Sequence, residues 1–305
     1  MRNSLIKKKY VFIGDYNSIN IELISKSFSK LKGKTQYILI GNVKNLRNYL
    51  DRIRSKLYIN EILDPYDFKK CSLNSLNIFN IEDISSKKYI NLLNQLKISN
   101  DLSNNTKIDL VTMPINKSIF KREIKFIGLT EELGRLNNKK TIMMMHGEEF
   151  SVIPLTTHIN PKYIYKSLQK SVLKKLINNL LKLIDKKEYC LNFKAIHFLC
   201  YNPHCGEQGT LGSEDKIISN IVSQTRKISG LFPADSAFSR NKKNSLYIST
   251  YHDQALIPFK LINKKGVNFT LGLNYRRLSP THGTATDIKF KNISNNSSYL
   301  ACMKI

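Results

Sequence analysis
Three of the chain's six histidines share one context: His158 in "PLTTHIN", His204 in "YNPHCGEQGTLGSE" and His252 in "STYHDQ" each follow closely on an apolar run that reads as a strand. Ligands of open α/β sheets gather at the carboxyl ends of strands, so imidazoles placed at three such ends can converge on one point. Three neutral imidazoles with an open fourth position make a site for a divalent ion acting as Lewis acid. Any one of them alone is accounted for by a solvated or hydrogen-bonded residue at a strand end; the shared context favours a metal. A second group is cationic and polar. Lys260, Asn268 and Arg277 lie in "FKLINKKGVNFTLGLNYRRLSPTHGT", beside Lys264, Lys265 and Arg276. Cations with an amide and glycine-exposed backbone N–H groups suit a phosphate or carboxylate on a small substrate, the alternative being a basic surface loop. No G-x-G-x-x-G follows a strand, and neither a Walker motif nor a G-x-S-x-G elbow occurs, so the common nucleotide and hydrolase signatures are absent.

These residues need a scaffold of alternating strands and helices, and the hydrophobic pattern supplies one. "KKYVFIG" reads as a strand, "IELISKSFSKL" as a helix, "TQYILIGN" as a strand and "VKNLRNYLDRIRSKL" as an amphipathic helix, a β-α-β-α opening that argues for a mostly parallel sheet. From Cys71 to about Asn105 the signal is weak and polar, and no element is assigned. "KIDLVTMP" is a strand, and "TIMMMHGEEFSVIPLTTH" gives two strands about a polar turn. A long helix is expected from Pro161 to Lys187, with Ile164, Leu168, Val172, Leu176 and Leu180 on one face. "AIHFLCYN", "SLYISTYH" and "GVNFTLGL" are strands, and "SEDKIISNIVSQTRKI" is a helix opened by a Ser213 cap.

Composition excludes several classes. With 305 residues and 41% hydrophobic content, the chain can bury a substantial core, and single cores seldom grow past ~250–300 residues, so two lobes are expected. We place them at 1–118 plus 284–305 and at 119–283. The formal charge is +26, but the lysines are spread from end to end rather than gathered in a stripe with aromatics, which argues against nucleic acid and for attraction of small anions. No apolar run approaches the ~20 residues of a membrane span, and no signal peptide is evident, so a soluble cytoplasmic protein is expected. The five cysteines include no C-x-x-C pair, and reduced thiols are expected.

Taken together the motifs resemble a known family. "NPHCGEQGTLGSE" is similar to the N-P-H-A-G-E-x-G-x-x-G-x-E stretch of the 4-hydroxythreonine-4-phosphate dehydrogenases of pyridoxine biosynthesis, and "TTH", "PADSAF", "YHDQALIPFK", "GVNFTLGL" and "SPTHGTA" follow in that family's order. The resemblance runs from about Gly14 to the C-terminus and is strongest from Thr156 to Thr286. It implies a two-lobed α/β/α architecture like that of isocitrate and isopropylmalate dehydrogenases, with the active site in the cleft. It also implies NAD (or NADP) as cofactor and one divalent ion (Zn, Mg or Co) per site. The metal ligands fall on His158, His204 and His252, and substrate contacts on Thr130, Lys260, Asn268 and Arg277. Asp235, Asp253 and Lys260 become candidates for catalytic or supporting roles. The family is homodimeric with metal ligands from both subunits. The implied reaction oxidises 4-phosphohydroxy-L-threonine to a 3-keto acid that loses carbon dioxide.

The chain also departs from the pattern. Leu129 in "GLTEEL" replaces a substrate-contacting histidine, Thr281 replaces an Asp, and Cys205 an alanine; Cys205 reads as a small buried side chain. The N-terminal T-P-G-E/D-P-x-G-I-G-P-E pattern survives only as "IGDYNSINIE", and the C-terminal helix is shortened. Two other readings therefore stand beside the main one: a related metal-dependent dehydrogenase of another hydroxy acid, and a non-catalytic remnant acting as a basic binding protein.

Overall fold
A computed structural model describes residues 6–120, 123–239 and 243–305. In chain order the elements are β1 (Lys7–Phe12), α1 (Asn20–Leu31), β2 (Thr35–Gly41), α2 (Val43–Arg52), β3 (Tyr58–Glu61), β4 (Ser75–Asn80), α3 (Lys88–Thr106), β5 (Asp109–Thr112) and α4 (Leu129–Leu136). There follow β6 (Ile142–His146), β7 (Phe150–Pro154), α5 (Ile164–Ser167), α6 (Lys170–Ile184), β8 (Ala195–Leu199), α7 (Glu214–Ser223), β9 (Leu231–Phe232) and α8 (Ala234–Ala237). The chain ends with β10 (Ser245–Ser249), α9 (His252–Ile262), β11 (Val267–Leu271), β12 (Arg277–Pro280) and α10 (Ser297–Lys304). No described helix is long and apolar enough to cross a membrane.

The chain divides into two compact units at Lys140/Thr141 and at Gly272/Leu273, rather than at 118/119 and 283/284. Packing explains the shift: Phe120, Leu133, Leu273 and Tyr275 are all buried in the core of the first unit with Tyr10, Phe12, Ile38 and Leu110. The segments carrying Thr130 and Arg277 thus belong to that unit.

In the first unit the strands run β3-β4-β2-β1-β5-β12, every adjacent pair parallel. Parallel strands need helical crossovers, which α1, α2 and α3 provide. An ion network ties this sheet together. Buried Lys9 of β1 donates to Asp109 Oδ2 on β5 at 2.8 Å, and Arg276 grips both oxygens of the same carboxylate, also at 2.8 Å. Desolvation pulls the Lys9 ammonium below its ordinary value in spite of the carboxylate beside it.

Helix α3 occupies the stretch where no element was assigned. Its buried face carries Asn91, Gln95, Ser99, Asn100 and Ser103 beside Leu92, Leu96 and Leu102. Polar groups on the inner face erase the apolar periodicity that reveals a helix. Part of that polarity is satisfied locally, as where Ser99 Oγ donates to Gln95 O at 2.7 Å.

The second unit has the order β11-β6-β7-β10-β8-β9. β6 pairs antiparallel with β11 and β7, while β7, β10, β8 and β9 are parallel. Its core gathers Met145, Phe150, Val152, Leu199, Tyr247 and Phe259. The long helix expected over 161–187 is broken: a 3₁₀ turn at Pro161–Tyr163 leads into α5, and the chain restarts at Lys170 as α6. The restart resets the helical phase, so α6 buries Leu173, Ile177, Leu180 and Ile184, and Val172 is exposed. Ser213 precedes α7 but makes no capping bond through its side chain. Cys200 and Cys205 form a disulfide, with Cα atoms 5.0 Å apart, against the expectation of reduced thiols. The turn after β8 brings the second cysteine back onto the strand end, and C-x4-C spacing gives no sequence warning of it.

Candidate active site
The histidines selected by position do stand at neighbouring strand ends. β7, β10 and β8 lie side by side and parallel, so the loop holding His158, the start of α9 with His252 and the loop holding His204 all leave one edge of the second unit. Four bonds fix these exits. Thr156 Oγ1 donates to Thr250 O at 2.7 Å, joining the β7 and β10 exits. Gln254 Nε2 donates to Cys200 O at 2.7 Å, joining α9 to the end of β8. Buried Asp215 accepts from the backbone N–H of Tyr201 at 2.7 Å and of Asn202 at 2.9 Å, holding the start of the His204 loop.

The result is a pair and an outlier. The rings of His158 and His252 have centroids 6.0 Å apart. His252 Nδ1 lies 2.7 Å from Asp253 Oδ1, which leaves Nε2 as the nitrogen open to a ligand. His204 instead sits between two carboxylates, Nδ1 at 3.0 Å from Glu207 Oε1 and Nε2 at 3.6 Å from Asp235 Oδ2. Hydrogen bonding to Glu207 first, then the charge of Asp235, raises its pKa. Among the described residues of a single chain, no group of three or more His, Cys, Asp or Glu is arranged to hold a metal. The donor chemistry of the His158–His252 pair suits a divalent ion.

Both expected-ligand loops are strained. His158 has φ 34°, and His204, Cys205, Glu207 and Gln208 have φ 48°, 57°, 44° and 61°. Non-glycine residues in the left-handed region cost roughly 1–2 kcal/mol each, and such residues cluster at functional sites. The disulfide crosses this same turn.

The cationic set divides between the units. In the first unit Arg277 and Thr130 meet: Arg277 Nη1 donates to Thr130 Oγ1 at 3.2 Å and Nε to Thr112 Oγ1 at 2.9 Å. Arg277 is 2% exposed, and burial pushes its guanidinium down to about 10, so it remains charged at neutral pH. Thr112, at the end of β5, was not foreseen; its signal was only its place in "VTMP" after a strand. Leu129, where the family pattern has histidine, packs against the first unit's core at the start of α4. Arg276 is bound to Asp109 and is structural. In the second unit Lys260 is exposed on α9, about two turns from His252. Asn268 on β11 has a buried Oδ1 without a protein partner.

In the second unit, parallel strands with imidazoles at their carboxyl ends and carboxylates against those imidazoles form an α/β scaffold carrying groups suited to acid–base or metal chemistry. The chain belongs to the family described as pyridoxal phosphate biosynthetic protein PdxA, whose model matches residues 33–305. It is 34% identical to a 4-hydroxythreonine-4-phosphate dehydrogenase of Aquifex aeolicus, with 98% of this chain and 97% of that protein covered. A second such dehydrogenase, from Hydrogenobaculum, is 31% identical over 93% of each. The crystal structure of 4-hydroxythreonine-4-phosphate dehydrogenase from Klebsiella pneumoniae superposes with TM-score 0.81 at 25% identity, covering 98% of both chains. A terephthalate 1,2-cis-dihydrodiol dehydrogenase of Burkholderia xenovorans shares the fold at TM-score 0.59 and 15% identity. The chain is therefore an oxidoreductase acting on CH–OH, and its family implies a nicotinamide cofactor and a metal in general terms.

Proposed function
We propose that this chain oxidises 4-phosphohydroxy-L-threonine at C3, with NAD and a divalent ion, to 2-amino-3-oxo-4-phosphohydroxybutanoate, which decarboxylates to 3-amino-2-oxopropyl phosphate in pyridoxal phosphate biosynthesis. The observation that carries this reading is the His158–His252 pair, 6.0 Å apart with Asp253 orienting His252, in a chain of this family. His158, His204 and His252 would hold a divalent ion, which when bound would supply Lewis-acid polarisation of the 3-hydroxyl, and NAD would supply a hydride acceptor for C3. The chain's own groups do the rest. Asp253 fixes the tautomer and ring plane of His252. Asp235, held beside His204, is a candidate for moving the hydroxyl proton. Arg277, Thr130, Lys260 and Asn268 bind phosphate and carboxylate, Arg277 as a desolvated fork already oriented by two hydroxyls.

The site is completed by a second copy of the chain, which brings His204 to the partner's His158–His252 pair. Two features support this. One chain alone lacks a three-ligand set among its described residues. Helix α9, which begins at His252, turns Ile257 and Leu261 outward at 59% and 73% exposure, an apolar stripe suited to an isologous interface. NAD reduction with 4-phosphohydroxy-L-threonine, followed before and after chelation, tests the activity. Reduction that a chelator removes and a divalent ion restores is expected. A folded dimer inactive with every metal, but active on another hydroxy acid, replaces the substrate and leaves the class.

A further inference from the structure
The turn after β8 winds against the natural hand of an L-polypeptide. Five successive residues, His204, Cys205, Gly206, Glu207 and Gln208, have φ of 48°, 57°, 76°, 44° and 61°. Residues other than glycine enter this left-handed region at a steric cost and as single residues, not as runs. Four of these five are not glycine, so the turn keeps its shape only while it is tied down. Its covalent tie is the Cys200–Cys205 disulfide. Cys200 belongs to the sheet frame: its N–H donates to Phe232 O at 2.9 Å, and its carbonyl accepts from Gln254 Nε2 at 2.7 Å. Cys205 follows His204 directly in the chain. The bond thus anchors to the end of β8 the backbone that carries the third expected metal ligand.

The bridge does little for the fold as a whole. Its cysteines are 5 residues apart in sequence, and a cross-link restricts the unfolded chain less the shorter the loop it closes. Its effect is local, on the turn. The two cysteines are also unequally placed. Cys200 is 1% exposed, whereas Cys205 is partly exposed in the turn. Solvent reaches Cys205, so an incoming thiolate attacks there and opens the bond without disturbing β8. Where thiols are kept reduced, a bridge of this kind is a sensor rather than a staple.

We propose that Cys200 and Cys205 form a reversible thiol–disulfide control on the metal site, fixing His204 when oxidised and freeing its turn when reduced. The reactants are small thiols and disulfides of the glutathione class. In reduction a thiolate attacks the Cys205 sulfur, the S–S bond breaks, and Cys200 leaves as a thiolate that takes up a proton. A second thiolate attacks the small molecule's sulfur in the mixed disulfide. That step releases Cys205, which is protonated in turn, and the oxidised small disulfide. Oxidation of the pair runs the same steps backwards. The inference rests on the metal reading given under Proposed function and adds the condition under which that site is preorganised.

The test compares the oxidised full-length protein with the double variant Cys200→Ala/Cys205→Ala, which lacks both the bridge and the thiols that could themselves bind metal. Calorimetric affinity for cobalt(II) is expected to be about 10-fold weaker in the variant, the low end of the loss when a partner that orients a ligand is removed. Amide hydrogen exchange across residues 201–209 is expected to be faster in the variant, with circular dichroism unchanged. A second measurement uses the wild type alone. In glutathione buffers ranging from mostly thiol to mostly disulfide, mass mapping of alkylated cysteines is expected to show the bridge passing from open to closed. Equal or tighter cobalt binding by the variant, or a bridge that stays in one state at every ratio, overturns the control and leaves the metal site standing. Cobalt bound by neither protein overturns both.

Discussion

Asp253 decides which nitrogen of His252 is available, since its carboxylate lies 2.7 Å from Nδ1. Removing such a partner typically costs about 10–100-fold in metal affinity. Asp253→Asn should therefore lower affinity for a divalent ion by that amount without unfolding the chain, which metal titration and circular dichroism together check. A second prediction concerns pH. His146 donates or accepts at Ser151 Oγ, 2.8 Å away, and burial holds its pKa below the ordinary value. The unfolded chain then binds more protons than the folded one as pH falls below about 6.5, so folding stability drops from there through the folded-state value. His282, also lowered by burial, acts in the same sense. His204, raised by Glu207 and Asp235, acts in the opposite sense: its contribution is present below about 6.5 and is lost as pH rises through its folded value. The urea midpoint of His146→Gln, measured from pH 8 to pH 5, should fall less steeply than that of wild type; an identical slope would remove His146 from the account. Arg277 and Thr130, both expected through the resemblance as substrate contacts, meet at 3.2 Å. Thr112 was not legible, because its meaning comes from burial and from a partner distant in sequence.

Elements were legible wherever one face was apolar. β1, α1, β2 and α2 follow the pattern of their residues closely, whereas α3 hides because its inner face carries Asn, Gln and Ser. The helix expected over 161–187 failed for another reason: a turn at Leu168 and Gln169 preserves the apolar spacing on each side while shifting its phase. The turn after β8 holds the third expected metal ligand. It carries His204 in left-handed backbone and is closed by the Cys200–Cys205 disulfide. Alkylation of the unfolded, unreduced protein should label Cys71, Cys190 and Cys302 and leave Cys200 and Cys205 unlabelled until reductant is added. Labelling of all five cysteines without reductant would show the bridge to be absent in solution.

At the scale of the molecule, length and composition were enough to call for two units. Their limits could not be read, since residues 119–140 and 273–283 join the first unit through tertiary packing of Phe120, Leu133, Leu273 and Tyr275. The first unit also depends on one buried carboxylate. Asp109 neutralises Lys9 and engages Arg276, and breaking a buried pair by removing one partner costs about 3–5 kcal/mol. Asp109→Ala should lose stability of that order in denaturant titration; a loss below about 1 kcal/mol would mean that Lys9 finds water or another partner.

The proposed site takes imidazoles from two copies of the chain, and mixing inactive variants tests this most directly. His204→Ala and His252→Ala should each fail to reduce NAD with 4-phosphohydroxy-L-threonine. In the mixed dimer one site draws His158 and His252 from the first variant and His204 from the second, and is whole. After co-refolding, random assortment makes half of the dimers mixed, each with one whole site of two, so about a quarter of wild-type activity should return. No recovery from mixed dimers confirmed by mass, beside an active wild type, would contradict the shared site.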